Sequence, residues 1–82
     1  MNVCVVGLWH LGTVTAACLA DAGHKVTGLD FDPAVVTALN RGRPPVHEPG
    51  LDELVTAGLA AQQLCFTTDV EHAVANVDVV WF

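Results

Sequence analysis

The chain has 82 residues, with nine acidic and three basic side chains and a formal net charge of −6, so nucleic acid and anionic lipid surfaces are not expected partners. Its hydrophobic content of 52% favours strands that are buried on both faces of a parallel sheet. No apolar stretch approaches the ~20 residues of a membrane helix, and no basic segment typical of a secretory signal precedes the first apolar run. We therefore expect a cytoplasmic protein without a membrane span.

Segments rich in β-branched residues alternate along the chain with segments rich in alanine and leucine. Gly23 fits the residue after a first helix, Asp32 and Pro33 fit the N-cap and first residue of a second, and Thr68 with Glu71 fits a capping box. The predicted strands cover residues 2–6, 25–29, 64–67 and 78–82, and the predicted helices cover 11–20, 33–39, 51–62 and 68–75.

This alternation predicts an α/β fold with right-handed crossovers. By analogy with doubly wound folds, we expect a Rossmann-like parallel sheet with strand order 3-2-1-4 that is truncated before its second half. The fourth strand would then lie at a sheet edge, beside an exposed apolar face. The isolated chain is therefore expected either to associate or to be only marginally stable. For the protein as a whole we expect a homo-oligomer.

The three cysteines, Cys4, Cys18 and Cys65, are odd in number, widely spaced and set among apolar residues. This pattern fits neither a disulfide framework nor a paired metal or redox motif. We interpret all three as small core residues, and we expect no metal site.

The turn after the first strand reads Gly7-Leu8-Trp9-His10-Leu11-Gly12, which is the dinucleotide fingerprint G-x-G-x-x-G with Trp9 in place of its middle glycine. The first glycine of this fingerprint makes the tight turn, the second lets backbone amides approach the pyrophosphate, and the third lets helix and strand pack closely. Asp30 ends the second strand, where an acidic residue accepts hydrogen bonds from the adenosine ribose and repels a 2′-phosphate. A purely structural role for the two glycines and Asp30 is the alternative.

The pattern predicts NAD, rather than NADP, as the cofactor. The candidate cofactor-binding residues are Gly7, Trp9, His10, Leu11, Gly12 and Asp30. The Trp9 side chain could block the pyrophosphate, point outward and leave the backbone free, or pack against a further domain. His10 could donate a hydrogen bond to the pyrophosphate, or it could be only a polar residue at the protein surface.

The residues around these elements resemble the UDP-glucose/GDP-mannose 6-dehydrogenase family over essentially the whole chain. The matching segments are the glycine turn, Thr15-Ala16-Ala17-Cys18-Leu19-Ala20, Gly28-Leu29-Asp30, Leu39-Asn40-Arg41-Gly42, Pro45-Val46-His47-Glu48-Pro49-Gly50-Leu51 and Phe66-Thr67-Thr68-Asp69. The Glu48-Pro49-Gly50-Leu51 part is the most specific, since a glycine turn alone occurs in many dehydrogenases. The chain departs from the family at Trp9, at His10 in place of a tyrosine, and at Val35 in place of a basic residue.

The resemblance implies that residues 1–82 are the N-terminal part of a dinucleotide-binding Rossmann domain, with the substrate and catalytic domain absent. It implies a parent enzyme that oxidises the C6 alcohol of a UDP- or GDP-linked sugar to the uronate, with NAD as oxidant and a catalytic cysteine later in the chain. Cys4, Cys18 and Cys65 do not match that cysteine, so no catalytic residue is expected here.

Two other interpretations remain open at this point. The chain could come from a dehydrogenase of the 6-phosphogluconate or 3-hydroxyacyl-CoA type, which shares the glycine turn but not the Glu48 loop. Alternatively, it could be a degenerate Rossmann module in which Trp9 closes the site and the domain serves as a non-enzymatic interaction domain.

Overall fold

A computed structural model describes all residues from 1 to 82. The strands are β1 (Asn2–Val6), β2 (Lys25–Leu29), β3 (Leu64–Thr67) and β4 (Val79–Trp81), and the helices are α1 (His10–Asp21), α2 (Pro33–Asn40), α3 (Leu51–Ala60) and α4 (Val70–Val74). All strand pairs are parallel and the order is β3-β2-β1-β4, as predicted. No helix has the length and apolarity that crossing a membrane requires.

Two faces of the sheet are covered unequally. Helices α1, α2 and α3 pack on one face, where Val5, Val26 and Phe66 belong to the main core. On the other face, a small cluster forms around Cys4 beneath α4. The thinner cover explains why this four-stranded unit leaves apolar strand residues exposed.

The two edges of the sheet also differ. At the β3 edge, the Asn40 side chain donates from Nδ2 to the Phe66 carbonyl at 3.0 Å, and its Oδ1 accepts from the Phe66 amide at 3.2 Å. Asn40 thus takes the place of a neighbouring strand for one residue. The β4 edge has no such partner, and Val79, Val80 and Phe82 are exposed there, as expected from the sequence.

Several local predictions need correction. The prediction that all three cysteines lie in the core is wrong, because only Cys4 is buried and Cys18 and Cys65 are exposed.

The last helix is capped by Asp69 rather than by Thr68. The Asp69 carboxylate accepts hydrogen bonds from the amides of the second and third residues that follow Asp69. A carboxylate one residue closer to the helix therefore replaces the expected hydroxyl cap.

Element ends shift by a few residues. Helix α1 begins one residue earlier than predicted, at His10, and α3 ends at Ala60 rather than at residue 62. Gln62 has a φ of 59°, which lies in the left-handed region and is incompatible with helix continuation. Strand β4 is shorter than predicted at both ends.

Candidate functional site

The turn between β1 and α1 depends on its first and third glycines. Gly7 has a φ of +87°, a conformation that a side chain disfavours. A Cβ atom on Gly12 would lie 1.6 Å from the Gly7 carbonyl oxygen, so only glycine allows α1 to begin this close to the strand. Both glycines have the roles that the sequence motif predicts.

The middle position of the motif does not require glycine for its backbone. Trp9 is the N-cap of α1, with φ −75° and ψ −148°, so its φ lies outside the left-handed region that favours glycine. The residue is 61% exposed, so its side chain is not part of the core. Because Trp9 also lines the crevice described below, its effect on a bound pyrophosphate stays a question for the titration.

The amides at the start of α1 form a run of free donors. No amide from Trp9 to Gly12 has a hydrogen-bond partner within the protein. The helix has no side-chain cap and no acidic residue in its first turn that could occupy these donors. Consecutive free amides at the N-terminus of a 12-residue helix favour an anionic group, through both hydrogen bonding and the helix dipole.

Leu8 is the most tightly held residue of the turn. Its amide donates to Asp30 Oδ2 at 2.8 Å, and its carbonyl accepts from the Thr13 hydroxyl. Its side chain is fully buried, and it packs where Gly28 has no Cβ: an atom added there would lie 2.8 Å from Leu8 Cδ2. No role was predicted from the sequence for Thr13, which directly follows the motif, and Gly28 was named only as part of the Gly28-Leu29-Asp30 segment.

Asp30 joins the end of β2 to the glycine turn. Besides the bond to the Leu8 amide, its Oδ1 accepts from the Asp32 amide at 2.9 Å. The carboxylate is only part-buried, and each oxygen keeps a lone pair for further donors. It can therefore accept hydrogen bonds from ribose hydroxyls while it holds the turn.

The Glu48 loop contacts the glycine turn directly. His10 Nε2 pairs with Glu48 Oε1, although both side chains remain accessible to solvent. The next residues enter α3, whose N-cap Gly50 has a φ of +83°. The Glu48-Pro49-Gly50-Leu51 segment, the most family-specific part of the sequence, thus contacts the first residue of α1 through Glu48.

A crevice of about 280 Å³ opens where β1 and β4 end. Trp9, Leu11 and both motif glycines line it, together with Val6, Trp81 and Phe82. In open parallel sheets, ligands bind outside the carboxyl ends of the strands where the strand order reverses, which here is between β1 and β4. His10 and Asp30 do not line the crevice: Asp30 contacts the turn through the Leu8 amide, and His10 pairs with Glu48. Val35 is buried in the main core.

These residues fit a dinucleotide. The free amides suit a pyrophosphate, the Asp30 carboxylate suits a ribose, and its charge disfavours a 2′-phosphate. Of the six candidate residues, Gly7, Trp9, Leu11 and Gly12 line one crevice, whereas His10 and Asp30 do not.

Comparison with known proteins agrees with this geometry. Residues 1–82 match the family described as "UDP-glucose/GDP-mannose dehydrogenase family, NAD binding domain". The chain is 42% identical over 81 residues to a UDP-glucose 6-dehydrogenase from Rhizobium meliloti, covering 99% of this chain and 18% of that protein. It is 39% identical over 79 residues to a GDP-mannose 6-dehydrogenase from Pseudomonas syringae, covering 96% of this chain and 18% of that protein.

Solved structures are also similar. A ternary complex of GDP-mannose dehydrogenase from Pseudomonas aeruginosa superposes with a TM-score of 0.94 at 38% identity, over 98% of this chain and 18% of that one. A UDP-glucose dehydrogenase from Pyrobaculum islandicum superposes with a TM-score of 0.89 at 39% identity, over 96% of this chain and 18% of that one. The chain therefore spans about a fifth of the length of these relatives, and it belongs to the NAD-binding domain of the UDP-glucose/GDP-mannose dehydrogenase family.

Proposed function

We propose that this chain binds NAD through Gly7, Trp9, His10, Leu11, Gly12 and Asp30. The observation that carries the proposal is the run of unpartnered amides from Trp9 to Gly12, which begins one residue after the amide that Asp30 holds. The pyrophosphate would bind these amides, and the adenosine ribose would bind the Asp30 carboxylate. His10, the first residue of α1, would take part through its unpartnered backbone amide, since its side chain pairs with Glu48.

We further propose that the chain is the cofactor-binding portion of a nucleotide-sugar 6-dehydrogenase that forms homo-oligomers in the cytoplasm. Such an enzyme would oxidise the C6 alcohol of a UDP- or GDP-linked sugar to the uronate, with NAD accepting hydride. Support comes from relatives whose names specify both UDP-glucose and GDP-mannose, so the two nucleotides remain equal candidates.

The residues present do not supply the chemistry of that oxidation. Cys4 is fully buried, and desolvation raises the pKa of its thiol, which disfavours the nucleophilic thiolate. Cys18 is on α1 and Cys65 is on β3, and neither lines the crevice beside the glycine turn. We therefore propose that the 82 residues alone bind cofactor without oxidising a sugar.

Titration of ligands against tryptophan fluorescence tests cofactor binding. Trp9 and Trp81 are the two tryptophans, and both line the crevice, so Trp81→Phe leaves Trp9 as the single reporter. We expect saturable changes with NAD and with ADP-ribose, and a response to NADP that needs at least ~10-fold more ligand, because Asp30 repels the 2′-phosphate. Absence of any response to millimolar NAD would refute the proposal.

The exposed aromatic residues of the crevice favour one other function. Trp9 and Phe82 present apolar surface of the kind that protein interfaces bury. A chain that fails to bind NAD, yet loses self-association or partner binding on Trp9→Ser substitution, would instead be a non-enzymatic interaction module.

A further inference from the structure

Thr13 makes a contact that the helix itself does not require. The residue is completely buried in α1, and its amide donates to the Trp9 carbonyl at 3.0 Å in the usual helical manner. Its hydroxyl donates to a different carbonyl, that of Leu8, five residues earlier and outside the helix. A threonine that bonds only within its helix would use a carbonyl three or four residues back.

This bond fixes the orientation of one peptide unit in the glycine turn. In a trans peptide, the carbonyl of one residue and the amide of the next point in opposite directions. Because the Leu8 carbonyl points into the buried site of Thr13, the Trp9 amide points away from it. That amide has no partner in the protein, and Trp9 lines the crevice.

We propose that Thr13 is a positioning residue for dinucleotide binding: its buried hydroxyl holds the Leu8–Trp9 peptide so that the Trp9 amide donates to the pyrophosphate. The inference rests on the proposed binding of NAD. Thr13 cannot touch the cofactor itself, since none of its surface is accessible. Any effect of its hydroxyl on affinity must pass through the turn.

The Thr13 bond is one of two side-chain bonds that hold Leu8. Asp30 holds the amide side of Leu8 and Thr13 holds the carbonyl side, so Leu8 is fixed from both directions. Without the hydroxyl, the Leu8 carbonyl has no hydrogen-bond partner in the protein, and the Leu8–Trp9 peptide can rotate. Rotation would turn the Trp9 amide inward and bring the Leu8 carbonyl oxygen towards the pyrophosphate, where it would repel the ligand.

A pair of matched variants tests this role. Thr13→Val keeps the shape of the side chain and lacks the hydroxyl, whereas Thr13→Ser keeps the hydroxyl. Calorimetric titration with NAD and with ADP-ribose should give at least about fivefold weaker binding for Thr13→Val, the fold-change that loss of one hydrogen bond produces, and binding within about twofold of the original for Thr13→Ser. Equal affinities for the original chain and a folded Thr13→Val variant would overturn the inference.

A second measurement needs no substitution and decides the case if Thr13→Val fails to fold. In ¹⁵N-resolved NMR spectra of the unaltered chain, saturating ADP-ribose should shift the Trp9 amide strongly. The Leu8 amide, already bonded to Asp30, serves as the internal reference and should move less. A stationary Trp9 amide beside shifted His10 to Gly12 amides would refute the role of Thr13 while leaving cofactor binding intact. No shift at any amide would refute both proposals.

Discussion

The carbonyl oxygen of Gly7 occupies the space that a Cβ atom on Gly12 would need, at a separation of only 1.6 Å. Neither a carbonyl oxygen nor a Cβ atom moves when a side chain rotates, so a change of rotamer cannot relieve this clash. The start of α1 and the end of β1 are therefore packed as closely as two main chains allow, which is also what brings the free amides of α1 to the edge of the sheet.

Gly12→Ala should consequently unfold the chain or displace α1. We expect the free energy of unfolding, measured by urea denaturation, to fall by at least ~3 kcal/mol. The added methyl group would meet a backbone carbonyl, which can move only if the strand or the helix moves. Gly23→Ala is the control: its φ of +101° makes alanine strained, but nothing lies within 4 Å of the added atom. That variant should lose only ~1–2 kcal/mol, and equal losses for both would contradict the argument.

Asp30→Asn should weaken NAD binding and reduce the preference for NAD over NADP. The amide side chain keeps one acceptor, but it loses the negative charge that repels a 2′-phosphate and that strengthens the bond to the Leu8 amide. We expect about tenfold weaker NAD binding and an NAD/NADP affinity ratio that moves towards one, measured by competition calorimetry.

Asp32→Asn is the matched control for Asp30. Asp32 accepts from the Ala34 amide at 2.9 Å as the N-cap of α2, and asparagine caps a helix about as well. The NAD/NADP ratio of this variant should stay unchanged. If both variants altered the ratio to the same extent, overall negative charge rather than the position of Asp30 would explain selectivity.

The sequence predicted the strand order and the glycine turn because these depend on local signals: β-branched runs, helix caps and the two motif glycines. It did not reveal the bonds that hold Leu8, because Asp30 and Thr13 reach it from other elements, and hydroxyl-to-carbonyl contacts leave no periodic pattern. The exposure of Cys65 was missed for a related reason. Its strand lies at the sheet edge, and its side chain is on the face of the sheet that only the short α4 partly covers. An apolar strand sequence does not specify how much of each face will be covered.

Cys4 should make the chain less stable at alkaline pH. Burial raises the pKa of its thiol above the ordinary 9.0, so the folded state keeps the proton after the unfolded state has lost it. The contribution of the thiol to stability is fully present below pH 9 and is lost as pH rises towards the folded pKa. Denaturation curves between pH 8 and pH 11 should show a smaller decline for Cys4→Ala than for the original chain.

Cys18→Ala provides the comparison for this pH dependence. Cys18 is exposed in the folded chain, so Cys18→Ala controls for the replacement of a cysteine by alanine outside the core. In the native protein, iodoacetamide should likewise modify Cys18 and Cys65 before Cys4. A Cys4→Ala variant that declined as steeply as the original would show that other groups cause the alkaline loss.

The pair formed by His10 and Glu48 should contribute little to folding. Their side chains are 62% and 40% exposed, and ion pairs in such positions typically contribute ~0.2–1 kcal/mol and are screened by salt. A double-mutant cycle with His10→Gln and Glu48→Gln should therefore give a small coupling energy at low salt that disappears at high salt. A coupling above ~2 kcal/mol would instead mean that the loop closes over the start of α1 and buries the pair. The Glu48 loop would then be an essential support of the glycine turn.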